Sequence, residues 1–157
     1  MSATEAAGDI DQQVDIKKGL PEAYRALAAI TRSAGAFGEG LDELVKVRAS
    51  ILNRCSYCID THTAHAIKGG EDPRRLFALA AWRDSDFFTS RERAALALTD
   101  AITTVSADGD VDAALAAASE EFSVDELNRL VTAIIAINAW NRAAIASRFA
   151  ASPLREL

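Results

Sequence analysis

The chain has 157 residues, half of them apolar and a quarter charged, with a net charge of −6. That length suits one domain able to bury a core without staples, and the acidic balance, with no stripe of Lys or Arg, argues against nucleic acid or an anionic membrane as partner. The first ten residues lack a basic start followed by an apolar stretch, so no secretory signal is expected. The apolar run from Leu130 to Ala146 is interrupted by Asn138, Asn141 and Arg142, which excludes a membrane span there. These features predict a cytoplasmic protein.

In chain order, residues 1–18 are small and acidic without a sustained period, predicting a flexible N-terminal arm or a strap on a neighbouring subunit, followed by one all-helical domain over 19–157. Pro21 suits the first turn of a helix over about 21–34, with Tyr24, Leu27 and Thr31 on one face. Leu41, Leu44, Val45, Arg48, Ile51 and Leu52 follow the three-and-four spacing of a second helix ending near Asn53. The third spans Cys55 to Gly69-Gly70, where glycine suits a left-handed cap.

Asp72-Pro73 is an N-cap with a first-turn proline and opens a fourth helix to about Trp82. Thr89 with Glu92, and Ser123 with Glu126, have the spacing of capping boxes for long helices starting near Ser90 and Val124. Asp108-Gly109 separates the first of these from an alanine-rich helix over about 111–121. The count is seven helices, with no convincing strand and no internal repeat.

Both cysteines of the chain lie in Arg54-Cys55-Ser56-Tyr57-Cys58-Ile59-Asp60-Thr61-His62. In a reducing cytoplasm such a pair is more often redox-active or metal-binding than a permanent staple. On a helix of 3.6 residues per turn, Cys55, Cys58, His62 and His65 share one face. A helix N-terminus stabilises a thiolate, and with Arg54 alongside, electrostatics alone makes Cys55 the more acidic thiol. His62 stands one turn after Cys58, where an imidazole can take the thiol proton. Glu43 becomes the orienting carboxylate if the flanking helices fold back as a hairpin about Asn53; otherwise it is a solvated surface carboxylate.

A metal bound by all four thiols and imidazoles is disfavoured, because Cys55 and His65 are separated by a rise of about 15 Å, too far for bonds near ~2.0–2.3 Å. Three ligands from Cys55, Cys58 and His62 stay conceivable at a frayed helix start, but the expectation is no metal and no bound cofactor. Trp82, Trp140, Phe87 and Phe88 are expected in a core or subunit contact. Asn138, Asn141 and Arg142 are expected to contact the motif helix or a neighbouring subunit.

Glu43, then Cys55-Ser56-Tyr57-Cys58, His62 and a small residue at Ala66, together resemble the core motif of the AhpD-like alkylhydroperoxidases in the carboxymuconolactone decarboxylase superfamily. Trp82-Arg83-Asp84-Ser85, Phe88 to Leu96, and Asn138 to Arg142 extend the resemblance over roughly 20–150. The resemblance implies an all-α AhpD-like bundle assembling as trimers or hexamers. It also implies a peroxidase cycle in which Cys58 attacks the hydroperoxide and Cys55 resolves the sulfenic acid, with His62 and Glu43 relaying protons. That order reverses the electrostatic ranking of the two thiols. The implied electron donor is an external dithiol, on a lipoylated or thioredoxin-like protein.

Tyr57 departs from the pattern, because one branch of the family has a relay histidine there, and a phenol with a pKa near ~10 is a poor base at neutral pH. Other readings are a general thiol-disulfide oxidoreductase or a redox-sensing oligomer. Ring decarboxylation is disfavoured by the intact cysteine pair.

Overall fold

The computed structural model describes residues 14–38, 40–107 and 109–151, and within them the chain forms eight α-helices and no strand. They are α1 (Ile16–Gly19), α2 (Pro21–Ala34), α3 (Leu41–Asn53), α4 (Ser56–Lys68), α5 (Pro73–Ala78), α6 (Ser90–Thr103), α7 (Val111–Ser119) and α8 (Val124–Ala146). The seven expected helices are present. The eighth, α1, is a single turn capped by the Asp15 carboxylate, and the Ile16 N–H donates to the Ser147 hydroxyl at the far end of the chain. Residues 1–13 of the expected arm lie outside the described residues, as does Asp108 of the Asp108-Gly109 turn.

Local chemistry sets the boundaries. Thr89 with Glu92 and Ser123 with Glu126 both form complete capping boxes, each carboxylate accepting from the cap residue's N–H while the cap hydroxyl accepts from the third residue. Asp72 caps α5, with Pro73 in its first turn. The expected helix to Trp82 is broken in two: α5 stops at Ala78, and Leu79–Asp84 continues as a 3-10 segment in which Ala81 leaves helical geometry. Breaking the helix there turns Trp82 inward, where its indole N–H donates to Asp100. Gly109 is required by a close approach, since a Cβ there would lie 2.4 Å from the Ala101 carbonyl oxygen.

The helix α3 is the centre of the bundle, packed against α4, α6 and α8. Its buried set, Leu41, Leu44, Val45, Val47, Arg48, Ala49 and Ser50, is wider than one amphipathic face. One side joins Phe37, Leu98, Phe122, Leu130 and Ile134 in a core shared with α2, α6, α7 and α8. Leu44 and Val47 face a second core with Leu76, Leu79, Trp82, Phe88 and Leu96. Each fully buried leucine stabilises the fold by about 1.5–3 kcal/mol.

Arg48 lies on this central helix, 8% exposed, with Nε 2.6 Å and Nη2 3.1 Å from the two oxygens of Asp100 and Nη1 donating to the Leu79 carbonyl. Arg83 also donates to Asp100. A buried charge is tolerable only when so paired, and this one ties α3, α6 and the 3-10 segment together.

Candidate functional site

Between α3 and α4 the chain turns in two residues. Arg54 closes α3 in the left-handed region, φ 58° and ψ 38°, and Cys55 is extended and caps α4. The left-handed residue is a strained choice for arginine, and it reverses the chain abruptly enough for α3 and α4 to pack as a hairpin. The hairpin expected about Asn53 is therefore present.

Cys55 and Cys58 are joined as a disulfide, with Cα atoms 5.4 Å apart. Both side chains are buried and pack with Ala144, Tyr57 and Phe149 in a small cluster at the C-terminal end of α8. The sulfur of Cys55 also accepts from the Cys58 N–H at 3.4 Å, so the first cysteine serves as helix cap as well as disulfide partner. Helix geometry is met one residue later than expected, at Ser56.

Glu43 on α3 and His62 on α4 meet across the hairpin, with Nδ1 of His62 2.8 Å from Oε2 of Glu43. The other oxygen of Glu43 accepts from the Lys46 ammonium at 2.7 Å, and Asp42 accepts from the same ammonium at 3.1 Å. Burial pushes the Glu43 carboxyl up, but the hydrogen bonds from His62 and Lys46 outweigh it and hold it at about 2. Burial opposes the Lys46 charge, and the Glu43 and Asp42 carboxylates reverse this and raise its pKa. Because Glu43 stays ionised it can only accept, so Nδ1 of His62 carries the proton and Nε2 is the basic atom of the neutral ring.

His62 and Lys46 open onto a cavity of about 220 Å³. Cys58, His62, Lys46, Thr61 and Tyr57 line it together with Tyr24 and Thr31 of α2, Ile137 and Trp140 of α8, Phe37 and Phe149, among others. Cys58 is among the lining residues and Cys55 is not. Trp140, expected as core or contact surface, lines the cavity, held by an indole hydrogen bond to the Thr31 hydroxyl at 2.8 Å and edge-to-face packing on Tyr24. Trp82 and Phe88 are core residues, as expected, while Phe87 is exposed. Tyr57 packs edge-on against Phe149 with centroids 5.3 Å apart.

An amide cluster fixes the site from behind. Asn53 Nδ2 donates to Oδ1 of Asn138 at 2.9 Å and of Asn141 at 2.8 Å, and Asn141 Nδ2 donates to the Ser50 hydroxyl at 2.9 Å. Asn138 and Asn141 thus hydrogen-bond to the end of α3, two residues before Cys55, while Arg142 donates back to Asn138 within α8. Lys46 was missed by sequence reasoning, although its place one turn after both Asp42 and Glu43 is a local ion-pair signal. His65 is exposed and packs edge-to-face beside His62.

The fold and this site define a class. The sequence profile of the carboxymuconolactone decarboxylase family matches residues 18–101, and the chain belongs to that family, with an AhpD-like fold. It is 39% identical over 104 residues to the uncharacterised protein YdfG of Bacillus subtilis (strain 168), a match covering 66% of this chain and 71% of that one. A crystal structure of an Agrobacterium tumefaciens protein of unknown function, proposed to be the antioxidant defence protein AhpD, is similar at TM-score 0.84 and 33% identity. That match covers 91% of this chain and 99% of the other. An uncharacterised peroxidase-related protein from Silicibacter sp. TM1040 has the same fold at TM-score 0.70 and 22% identity, covering 81% and 69% of the two chains. No described helix is long and apolar enough to cross a membrane.

Proposed function

We propose that the protein is a thiol-dependent peroxidase of the alkyl hydroperoxide reductase type. The observation that carries this is one cavity lined by both Cys58 and His62, one turn apart on α4, with Nδ1 of His62 held by an ionised Glu43.

In the reduced protein, Nε2 of His62 takes the Cys58 thiol proton. The thiolate attacks the terminal oxygen of a hydroperoxide, the O–O bond breaks, and the alkoxide leaves with the proton from His62 as an alcohol. Cys58 becomes a sulfenic acid. The Cys55 thiol then attacks the Cys58 sulfur, forming the disulfide and releasing water. An external dithiol, on a lipoylated or thioredoxin-like protein, returns two electrons and two protons. The aromatic walls and volume of the cavity favour an organic hydroperoxide over hydrogen peroxide. A homo-oligomer, trimer or hexamer, acting in a reducing cytoplasm completes the reading.

Thiol counting by mass spectrometry after alkylation tests it. Reduced, metal-free protein given one equivalent of an organic hydroperoxide is expected to lose both thiols rapidly to the internal disulfide, and the Cys55→Ser variant to accumulate a trappable sulfenic acid on Cys58. Thiols that outlast ordinary small thiols in the same solution would remove the peroxidase reading. A sulfenic acid found in Cys58→Ser but not in Cys55→Ser would exchange the two roles.

A further inference from the structure

The three-ligand grouping of Cys55, Cys58 and His62 that the sequence left conceivable is not the one the fold assembles, since the sulfurs are bonded to each other. A different trio converges: one carboxylate oxygen of Glu43 and one ring nitrogen each of His62 and His65 all lie within 4.8 Å of one another. We propose that Glu43, His62 and His65 form a site for a divalent transition metal of the zinc type, and that metal binding and the proton relay exclude each other.

The donor chemistry fits. Two imidazoles one turn apart on a helix with a carboxylate from a neighbouring helix are borderline nitrogen and oxygen ligands, the set that suits zinc and its neighbours and not calcium or magnesium. Tetrahedral zinc, with bonds of about 2.0–2.2 Å, needs its ligands roughly 3.5 Å apart. His62 and Glu43 at 2.8 Å must open slightly, while His65 must swing inward, which its exposed position on α4 allows. The ring of His65 already stands beside His62, with centroids 5.8 Å apart. Lys46 holds Oε1 of Glu43, so the ion takes the Oε2 side, where the His62 hydrogen bond now sits. Three protein ligands leave the fourth position to solvent.

The exclusion follows from shared atoms and rests on the peroxidase reading, whereas the binding does not. Whichever nitrogen of His62 the ion takes, the relay loses one it needs: Nδ1 makes the bond to Glu43, and Nε2 is the base. His65 has no part in the relay, so it separates the two functions.

The binding test uses the oxidised full-length chain, whose sulfurs are tied up in the disulfide. Zinc chloride titrated calorimetrically is expected to bind one ion per chain, and cobalt chloride to give the visible absorption of a four-coordinate nitrogen and oxygen site. His65→Ala should weaken zinc binding by about tenfold or more, since even indirect partners of a metal site are worth that much. Absence of saturable binding, or equal affinity in His65→Ala, would overturn the site. The exclusion is read separately on the reduced protein: zinc should slow thiol loss to an organic hydroperoxide in the wild type, and His65→Ala should keep its rate in metal-free buffer and lose the zinc sensitivity. Zinc that binds the reduced wild type without slowing thiol loss would overturn the exclusion. A metal-free wild type that never consumes peroxide would instead overturn the peroxidase reading and leave the binding result standing.

Discussion

Glu43 and His62 are 19 residues apart in sequence and 2.8 Å apart in space, joined across the α3–α4 hairpin by a carboxylate that is ionised at any pH above about 2. The pairing fixes which ring nitrogen of His62 is protonated, and so which one faces chemistry.

Replacing Glu43 by glutamine is expected to slow thiol loss to peroxide by about a hundredfold, the scale of a positioned acid-base group. The same carboxyl carries a stability signature. Its folded pKa, about 2, lies below the ordinary 4.5, so its contribution is complete above pH 4.5 and disappears as pH falls towards 2. That contribution is on the order of 2 kcal/mol after solvent screening. Chemical denaturation should therefore find Glu43→Gln less stable than wild type at neutral pH, with the gap closing in acid.

Lys46 holds one oxygen of Glu43, so its effect on the reaction is expected to run through that carboxyl. The Lys46→Met variant keeps the side-chain stem and removes the ammonium, so the Glu43 carboxyl should rise towards its ordinary value. The pH profile of thiol loss is expected to gain an acid limb at higher pH than in the wild type, with partial recovery in Lys46→Arg. A uniform drop at every pH would make Lys46 a packing residue only.

At the back of the site, Asn141→Leu is nearly isosteric but leaves the Asn53 amide and the Ser50 hydroxyl short of a partner. Urea denaturation should show a loss of about 2–3 kcal/mol. The Asn53→Leu and Asn141→Leu double variant should cost less than the sum of the singles, because the two side chains share one bond.

The buried ion pair makes the sharpest stability prediction. Asp100→Asn leaves Arg48 uncompensated in the interior and should destabilise by about 3–5 kcal/mol, while Arg48→Met with Asp100→Leu should recover much of that. Because the Trp82 indole donates to Asp100, tryptophan emission in the folded single variant reports the local change.

What the chain revealed before folding was mainly what short-range rules govern. Capping boxes at Thr89 and Ser123, and the Asp72-Pro73 start, depend on residues within one turn, and all three formed as spaced. The meeting of Glu43 with His62 was legible because two helices joined by a tight turn place equidistant residues opposite each other. The Arg48 and Asp100 pair was not, since it spans 52 residues and several turns, and Arg48 sits where periodicity alone shows an amphipathic stripe. Trp140 escaped for a similar reason: a cavity wall exists only once α2 packs on α8. The asparagines of α8 signalled a buried polar contact, but their partner, the end of α3, is set by the bundle. The break at Ala81 has no glycine or proline to announce it, and it accompanies a long-range bond from Trp82 to Asp100.

The amide cluster of Asn53, Asn138 and Asn141 bears on how freely the cysteine segment could be moved between proteins. Residues 54–66 look like a cassette, holding both sulfurs and both histidines. Yet the turn that starts the segment is anchored by side chains that arrive from α8, about 85 positions later. Transplanted onto another helical hairpin, the segment would lose both the Glu43 carboxylate and its aim, so a working graft needs Glu43 and the asparagines of the last helix to travel with it.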